Sequence, residues 1–195
     1  MNNTSNETNT HNGHPFVDLG LPSGLLWATS NVGADSPEQT GLYFAWGETE
    51  GFTAEQIKAG ERYFEYKTSN IRSFKHNLTL ERDAAHACMG GKWRMPTREE
   101  IQELIDNCTT KFILNHNGTG VKGFLFTSKT NGKSIFFPAT GNSDDCLVLL
   151  AGYLGNYWTA TLASETSSHS LCLFGTAKGV SDYEWFLGTD SEGRM

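Results

Sequence analysis

A chain of 195 residues with 37% hydrophobic and 19% charged side chains is long enough to bury a core unaided by metal or disulfide, and its length points to one domain, with or without a short appendage. Of its net charge of −7, −5 falls in residues 140–195, where seven acids face only Lys178 and Arg194. That leaves no clustered basic surface for a phosphate backbone and excludes nucleic acid as an expected partner. No apolar run approaches the roughly 20 residues of a membrane span, so membrane insertion is not expected, and no signal peptide is visible at the start.

In chain order, residues 1–13 are polar and nearly free of apolar side chains, which predicts a disordered tail or linker. The folded domain is expected over 14–195. Phe16–Leu19 reads as a strand, Leu21-Pro22-Ser23-Gly24 as a turn and Leu25–Thr29 as a returning strand, together a hairpin. Tyr43-Phe44-Ala45-Trp46 is a short aromatic extended segment ended by Gly47. Residues 50–79 carry no sustained period and one weak helix at Ala54–Lys58. Leu80, Ala84, Ala87 and Cys88 share a helical face, and Gly90-Gly91 ends that helix.

Thr97-Arg98-Glu99-Glu100 is a capping box, with Thr97 as N-cap and Glu100 at N3. Ile101, Leu104, Ile105 and Cys108 then recur at helical spacing. The pattern beyond turns to strands at Val121–Phe126, Ser134–Phe137, Leu147–Leu150, Tyr157–Thr161 and Ser170–Phe174. Asn131-Gly132 suggests a type I′ hairpin. Helices in the middle with strands before and after predict an α+β fold rather than alternating βαβ units.

The four cysteines, Cys88, Cys108, Cys146 and Cys172, contain no C-x-x-C, which excludes a zinc ribbon or thioredoxin-like site. Cys88, Cys108 and Cys172 sit in apolar patterns, as buried free thiols do. The pairing and the redox compartment stay open. The six histidines form no H-x-x-x-H, so no metal is expected, and His86 reads as a partly exposed surface residue. The nucleophile elbow, the P-loop and G-x-G-x-x-G are all absent.

His14-Pro15-Phe16-Val17-Asp18-Leu19-Gly20-Leu21-Pro22-Ser23-Gly24-Leu25-Leu26-Trp27-Ala28 resembles the opening of a known family. Tyr43-Phe44-Ala45-Trp46-Gly47-Glu48-Thr49, Asp83-Ala84-Ala85 and Gly91-Lys92-Trp93-Arg94-Met95-Pro96-Thr97 are similar to its middle blocks. Ser134-Ile135-Phe136-Phe137-Pro138-Ala139-Thr140-Gly141 and Gly155-Asn156-Tyr157-Trp158-Thr159-Ala160-Thr161 are similar to its later ones. The family is the Fib-succ-major paralogous domain of gut Bacteroidetes and their phages, and the resemblance covers about residues 14–174. It implies a C-type-lectin-like fold: two central helices, mixed antiparallel strands and much irregular loop. Family members usually end in a Gly-x-Ser-Val-Arg-Pro-Val strand. This chain ends in Gly193-Arg194-Met195, so that strand is expected to be missing or replaced.

The resemblance extends to formylglycine-generating enzymes and to the variable proteins of diversity-generating retroelements. The enzymes hold copper on a close thiol pair near the C-terminus. Cys146 and Cys172, 26 apart, do not reproduce it, so no catalytic residue and no cofactor are expected. The Glu-Pro-Asn, Gln-Pro-Asp and Trp-Asn-Asp motifs of calcium-dependent lectins do not occur in the chain, and Asn142-Ser143-Asp144-Asp145 reads as a polar turn.

Ser181-Asp182-Tyr183-Glu184-Trp185-Phe186 puts three aromatics and two carboxylates in six residues. Strict alternation would set Tyr183 and Trp185 on one face, with Asp182, Glu184 and Phe186 on the other. Such a segment is either a core-facing strand or an exposed recognition patch, where Tyr and Trp give large contact area at low entropy cost. In the retroelement-diversified relatives the C-terminal segment is the variable ligand-contacting surface, which implies binding over about residues 153–190.

The expectation is therefore a non-enzymatic ligand-binding domain, a variable protein displayed on a virion or cell surface. Its ligand would be a protein or a glycan on a cell surface, contacted through Tyr153, Asn156, His169, Asp182, Tyr183, Glu184, Trp185 and Phe186. A purely structural surface or tail-fibre module is the alternative, and an oxidase of the formylglycine-generating type a further one. The oligomeric state stays open.

Overall fold

A computed structural model describes residues 9–61, 76–144, 146–164, 167–175 and 183–190. The first sheet runs β1 (Thr10–His11), β2 (His14–Asp18) and β3 (Leu26–Ala28), antiparallel and in that order. The β2–β3 hairpin is the expected one, with Val17 opposite Trp27. β1 is not. Asn12 and Gly13 both take positive φ, 49° and 81°, the two left-handed residues a type I′ turn requires. They place His11 opposite His14. Residues 10–13, assigned from composition to the tail, thus belong to the fold. What holds them is polar: the Trp93 Nε1–H donates to the His11 carbonyl at 2.9 Å, and the Lys92 N–H donates to His11 Nε2 at 3.0 Å.

The weak helix stands as α1 (Ala54–Lys58), started by a Thr53–Gln56 capping box. The helix expected from Leu80 onward is broken in two: a 3-10 turn at Leu80–Arg82, then α2 (Ala84–Met89). Asp83 makes the break. Its carboxylate caps the His86 N–H at 2.9 Å and also accepts from the Met95 N–H at 2.8 Å, which holds Asp83 itself out of helical geometry. The buried face is accordingly Ala84, Ala85 and Met89, while Leu80, Ala87 and Cys88 are exposed. α3 (Arg98–Asn107) has the predicted Thr97–Glu100 box and buries Ile101, Leu104 and Ile105.

α3 passes directly into β4 (Cys108–Ile113), which pairs antiparallel with β5 (Gly123–Ser128) and through it with β6 (Ser134–Pro138). Between β5 and β6 only Gly132 takes positive φ, so Asn131-Gly132 is not the two-residue type I′ turn expected. Instead the Ser128 hydroxyl gathers the Thr130 and Asn131 amides in a longer loop. A small hairpin follows, β7 (Asn142–Asp144) with β8 (Leu147–Leu149). The last sheet is β9 (Leu154–Ser164), β10 (Ser167–Gly175) and β11 (Tyr183–Asp190), with β10 in the middle.

Small antiparallel sheets and few helices make this an α+β fold. The main core joins α3, the middle sheet and β10: Ile101, Leu104, Phe112, Phe124, Phe126, Leu171 and Leu173 are all at most 1% exposed. Two smaller clusters form around Tyr43 and Ile57, and around Ala85, Met89 and Trp93. None of the four cysteines is in a disulfide. Cys108 is buried, Cys146 and Cys172 are partly buried, and Cys88, expected in the apolar face of a helix, is exposed.

Candidate functional site: the face at the C-terminal sheet

β8 has the period of a half-covered strand. Val148 packs inward on the cluster around Ile57, while Leu147 and Leu149 are 55% and 38% exposed. The chain then turns through Leu150 (54% exposed), which holds a positive φ of 57°, and Tyr153 into β9. The Tyr153 carbonyl accepts the Gly175 N–H at 2.7 Å, which brings the turn against the end of β10 and its exposed Phe174. Among the described residues eight large apolar side chains are exposed, and five of them (Leu147, Leu149, Leu150, Tyr153 and Phe174) lie in this one stretch of structure. The Lys122 ammonium stands 4.7 Å from the centroid of the Tyr153 ring, a cation–π distance.

The expected site residues divide along the ladder. Asn156 is opposite Cys172, and across β11 Phe186 is opposite Cys172 and Glu184 opposite Phe174. Directly paired positions share a face of an antiparallel sheet, so positions 156, 184 and 186 fall together with Cys172 and Phe174. Positions 183 and 185 fall instead on the face of Leu171 and Leu173, with Trp185 opposite Leu173 and Tyr183 opposite Gly175; Leu171 and Leu173 are wholly buried. His169 is a ladder position opposite Thr189, and Asp182 lies outside the described residues. The sequence reading missed Leu147, Leu149, Leu150 and Phe174. Their signal was present as alternation around Val148, but a leucine run reads equally well as core.

The Asp83, Arg94 and Glu100 cluster is held by its own bonds. Arg94 pairs with both carboxylate oxygens of Glu100, at 2.7 and 2.5 Å, and the same carboxylate accepts the Thr97 N–H. Burial pushes the Glu100 carboxyl up, but the Arg94 bond, the Thr97 amide and the Arg94 charge outweigh it and hold it below its ordinary value. Among the described residues no three His, Cys, Asp or Glu side chains are grouped to hold a metal ion, and no helix is long and apolar enough to cross a membrane.

Where the three core clusters meet they leave a cavity of about 290 Å³, open on one side and walled mainly by aromatic and aliphatic side chains. Tyr43 in its wall donates to the Thr140 carbonyl at 2.7 Å, and burial pushes its phenol up to about 12. Tyr157 donates to the Pro138 carbonyl and is likewise raised by burial. No histidine or cysteine is among the described residues that line the cavity.

Comparison of the chain with protein-family models, with curated proteins and with solved structures found no match.

Proposed function

We propose that the chain is a non-enzymatic recognition domain of C-type-lectin-like fold, a variable protein of a gut bacterium or phage, that binds a protein on a cell surface through the face at its C-terminal sheet. The observation that carries this reading is the gathering of Leu147, Leu149, Leu150, Tyr153 and Phe174 in the open. Isolated exposed apolar residues are ordinary, whereas a group of them marks an interaction surface. Covering one leucine fully is worth about 1.5–3 kcal/mol, so a partner that buries even part of this group gains enough for specific association. The chemistry favours a protein ligand over a glycan: leucines offer no hydrogen bonds to sugar hydroxyls, and a protein interface core is apolar and aromatic. The acidic balance of residues 140–195 favours a partner with basic groups at the rim, which steer encounter more than they hold the complex.

The test uses the purified chain labelled on the exposed thiol of Cys88 and a panel of gut Bacteroidetes cells. Binding to a subset of strains, lost at least tenfold in the Leu149→Lys and Phe174→Lys variants with unchanged unfolding midpoints, is the expected result. Binding that both variants retain in full would overturn the assignment of this face.

A further inference from the structure

Leu25, Leu26, Trp27 and Ala28, four residues in a row, line the cavity, and Trp46, Trp93 and Trp158 line it with them. Side chains of a strand alternate between its faces, so a run of four meets one void only where the main chain itself borders it. That main chain belongs to β3, the outer strand of the first sheet. The Phe16 N–H donates to the Asn9 carbonyl at 2.9 Å, on the β1 side, and the Thr29 N–H donates to the Pro15 carbonyl at 3.1 Å. In the β2–β3 register Phe16 lies opposite Ala28 and Val17 opposite Trp27. Bonded and unbonded pairs alternate along an antiparallel ladder. Trp27 and Thr29 therefore bond to β2, while Leu26 and Ala28 turn their amides and carbonyls away from it. These outward groups have no partner among the described residues, and Leu26 is 44% exposed. An open strand edge thus borders an aromatic cavity.

We propose that this edge and this cavity together bind an extended peptide of a partner protein, which adds as a strand to β3 and places one large apolar side chain in the cavity. Strand addition draws its affinity from main-chain bonds and its specificity from pockets that take alternate side chains. β3 supplies the first and the cavity the second. The volume, about 290 Å³, is at the low end for a ligand site and suits a single aromatic ring, which the tryptophans meet with edge and stacking contacts. Charge selects a second peptide residue. Of the charged side chains in the wall, Arg94 is paired with Glu100, and Glu48 has a partner of its own. Lys92 forms no ion pair among the described residues. An acidic side chain two places from the aromatic one, on the same face of the peptide, complements it. The site shares no residue with the recognition face, so either reading can fail without the other.

The probe is the blocked peptide acetyl-Thr-Phe-Thr-Glu-Thr-amide, titrated into the isotope-labelled full chain, with affinity read from the backbone amide resonances. The Leu26 and Ala28 amides are expected to shift saturably at sub-millimolar concentration. Replacing the peptide's Phe by Ala should weaken binding at least about tenfold, as loss of a buried ring does. Replacing its Glu by Lys should weaken binding about threefold. N-methylation of the peptide, one residue at a time, tests the strand itself: it should weaken binding at alternate residues, because only alternate amides face β3. Leu26→Pro removes a donor that points away from β2, where an edge strand tolerates proline, and should abolish the shifts. If that variant does not fold, the N-methyl series decides alone. No saturable shift at Leu26 or Ala28 up to about 1 mM, or an N-methyl series without the alternation, would overturn the proposal.

Discussion

Val148 packs against the cluster that seals Ile57, and this contact turns its two neighbours, Leu147 and Leu149, outward. Side chains along a strand alternate faces, so once Val148 is fixed inward the exposure of the other two follows. Replacing Leu147 and Leu149 together by Ser is expected to change stability by less than about 0.5 kcal/mol each, the range of surface substitutions. Val148→Ala should cost about 1–2 kcal/mol for the methyl groups removed. Urea unfolding of the three proteins checks the order. A double serine variant that is the less stable of the two would show that the leucines are covered.

Gly141 holds φ at +78°, and a Cβ on it would lie 2.2 Å from the Leu149 carbonyl oxygen and 2.9 Å from the Ala151 amide nitrogen. Both are backbone atoms, so no rotamer relieves the contact, and the left-handed conformation alone costs a non-glycine residue about 1–2 kcal/mol. Gly132 has a similar φ of +72° with nothing within 4 Å of its added Cβ. Gly132→Ala should therefore cost about 1 kcal/mol and Gly141→Ala at least about 3 kcal/mol, with the β7–β8 hairpin displaced. Thermal unfolding of the pair measures the difference directly.

The rung that pairs Trp185 with Leu173 and the next, pairing Phe186 with Cys172, give opposite expectations for neighbouring residues. Position 185 shares the face of a leucine that is 0% exposed, so Trp185→Ala should lower stability by about 3 kcal/mol, in the range of core aromatic truncations. Phe186→Ala should cost less than about 1 kcal/mol and weaken cell binding instead. A stable Trp185→Ala protein that no longer binds would reverse the two roles.

The Arg94–Glu100 pair carries an acid-side pH dependence. The folded-state value of Glu100 is depressed despite partial burial, so its contribution to stability is complete above the ordinary glutamate value of about 4.3. It is lost as pH falls through the lower folded value, because the unfolded chain then binds the proton first. Glu100→Gln keeps an oxygen for the Thr97 amide but removes the charge. Its unfolding free energy should be lower than wild type at pH 6 and should converge on it toward pH 3. Parallel curves over that range would contradict the assignment.

Local rules made much of the fold legible. The Thr97–Glu100 box and the Ile101, Leu104, Ile105 spacing gave α3, and the turn at Leu21–Gly24 gave the β2–β3 hairpin. Where the sequence misled, a long-range bond had decided. Asp83 looked like an ordinary helix residue until its second oxygen was engaged by Met95, 12 residues on. Asn12-Gly13 is the same dipeptide as Asn131-Gly132 but lies among polar residues, and the distant Lys92 and Trp93 bonds to His11 hold the strand beside it. β4 was hidden because Cys108 closes the helical apolar pattern and opens the strand at once. At the candidate site, alternation at 183–186 was readable, but which face meets the core depends on the register with Leu171 and Leu173. The cavity was illegible for the same reason: its four tryptophans span residues 27–158.

The most direct test of a diversified recognition face is the codon-by-codon variability of this gene across related isolates. The account predicts substitutions at adenine-containing codons massed on the exposed Leu147, Leu149, Tyr153 and Phe174 and on positions 184 and 186, which pair with Phe174 and Cys172. The alternating positions Val148, Leu171, Leu173 and Trp185 should stay fixed. An even spread of substitutions along the chain, or one that ignores this alternation, would contradict it.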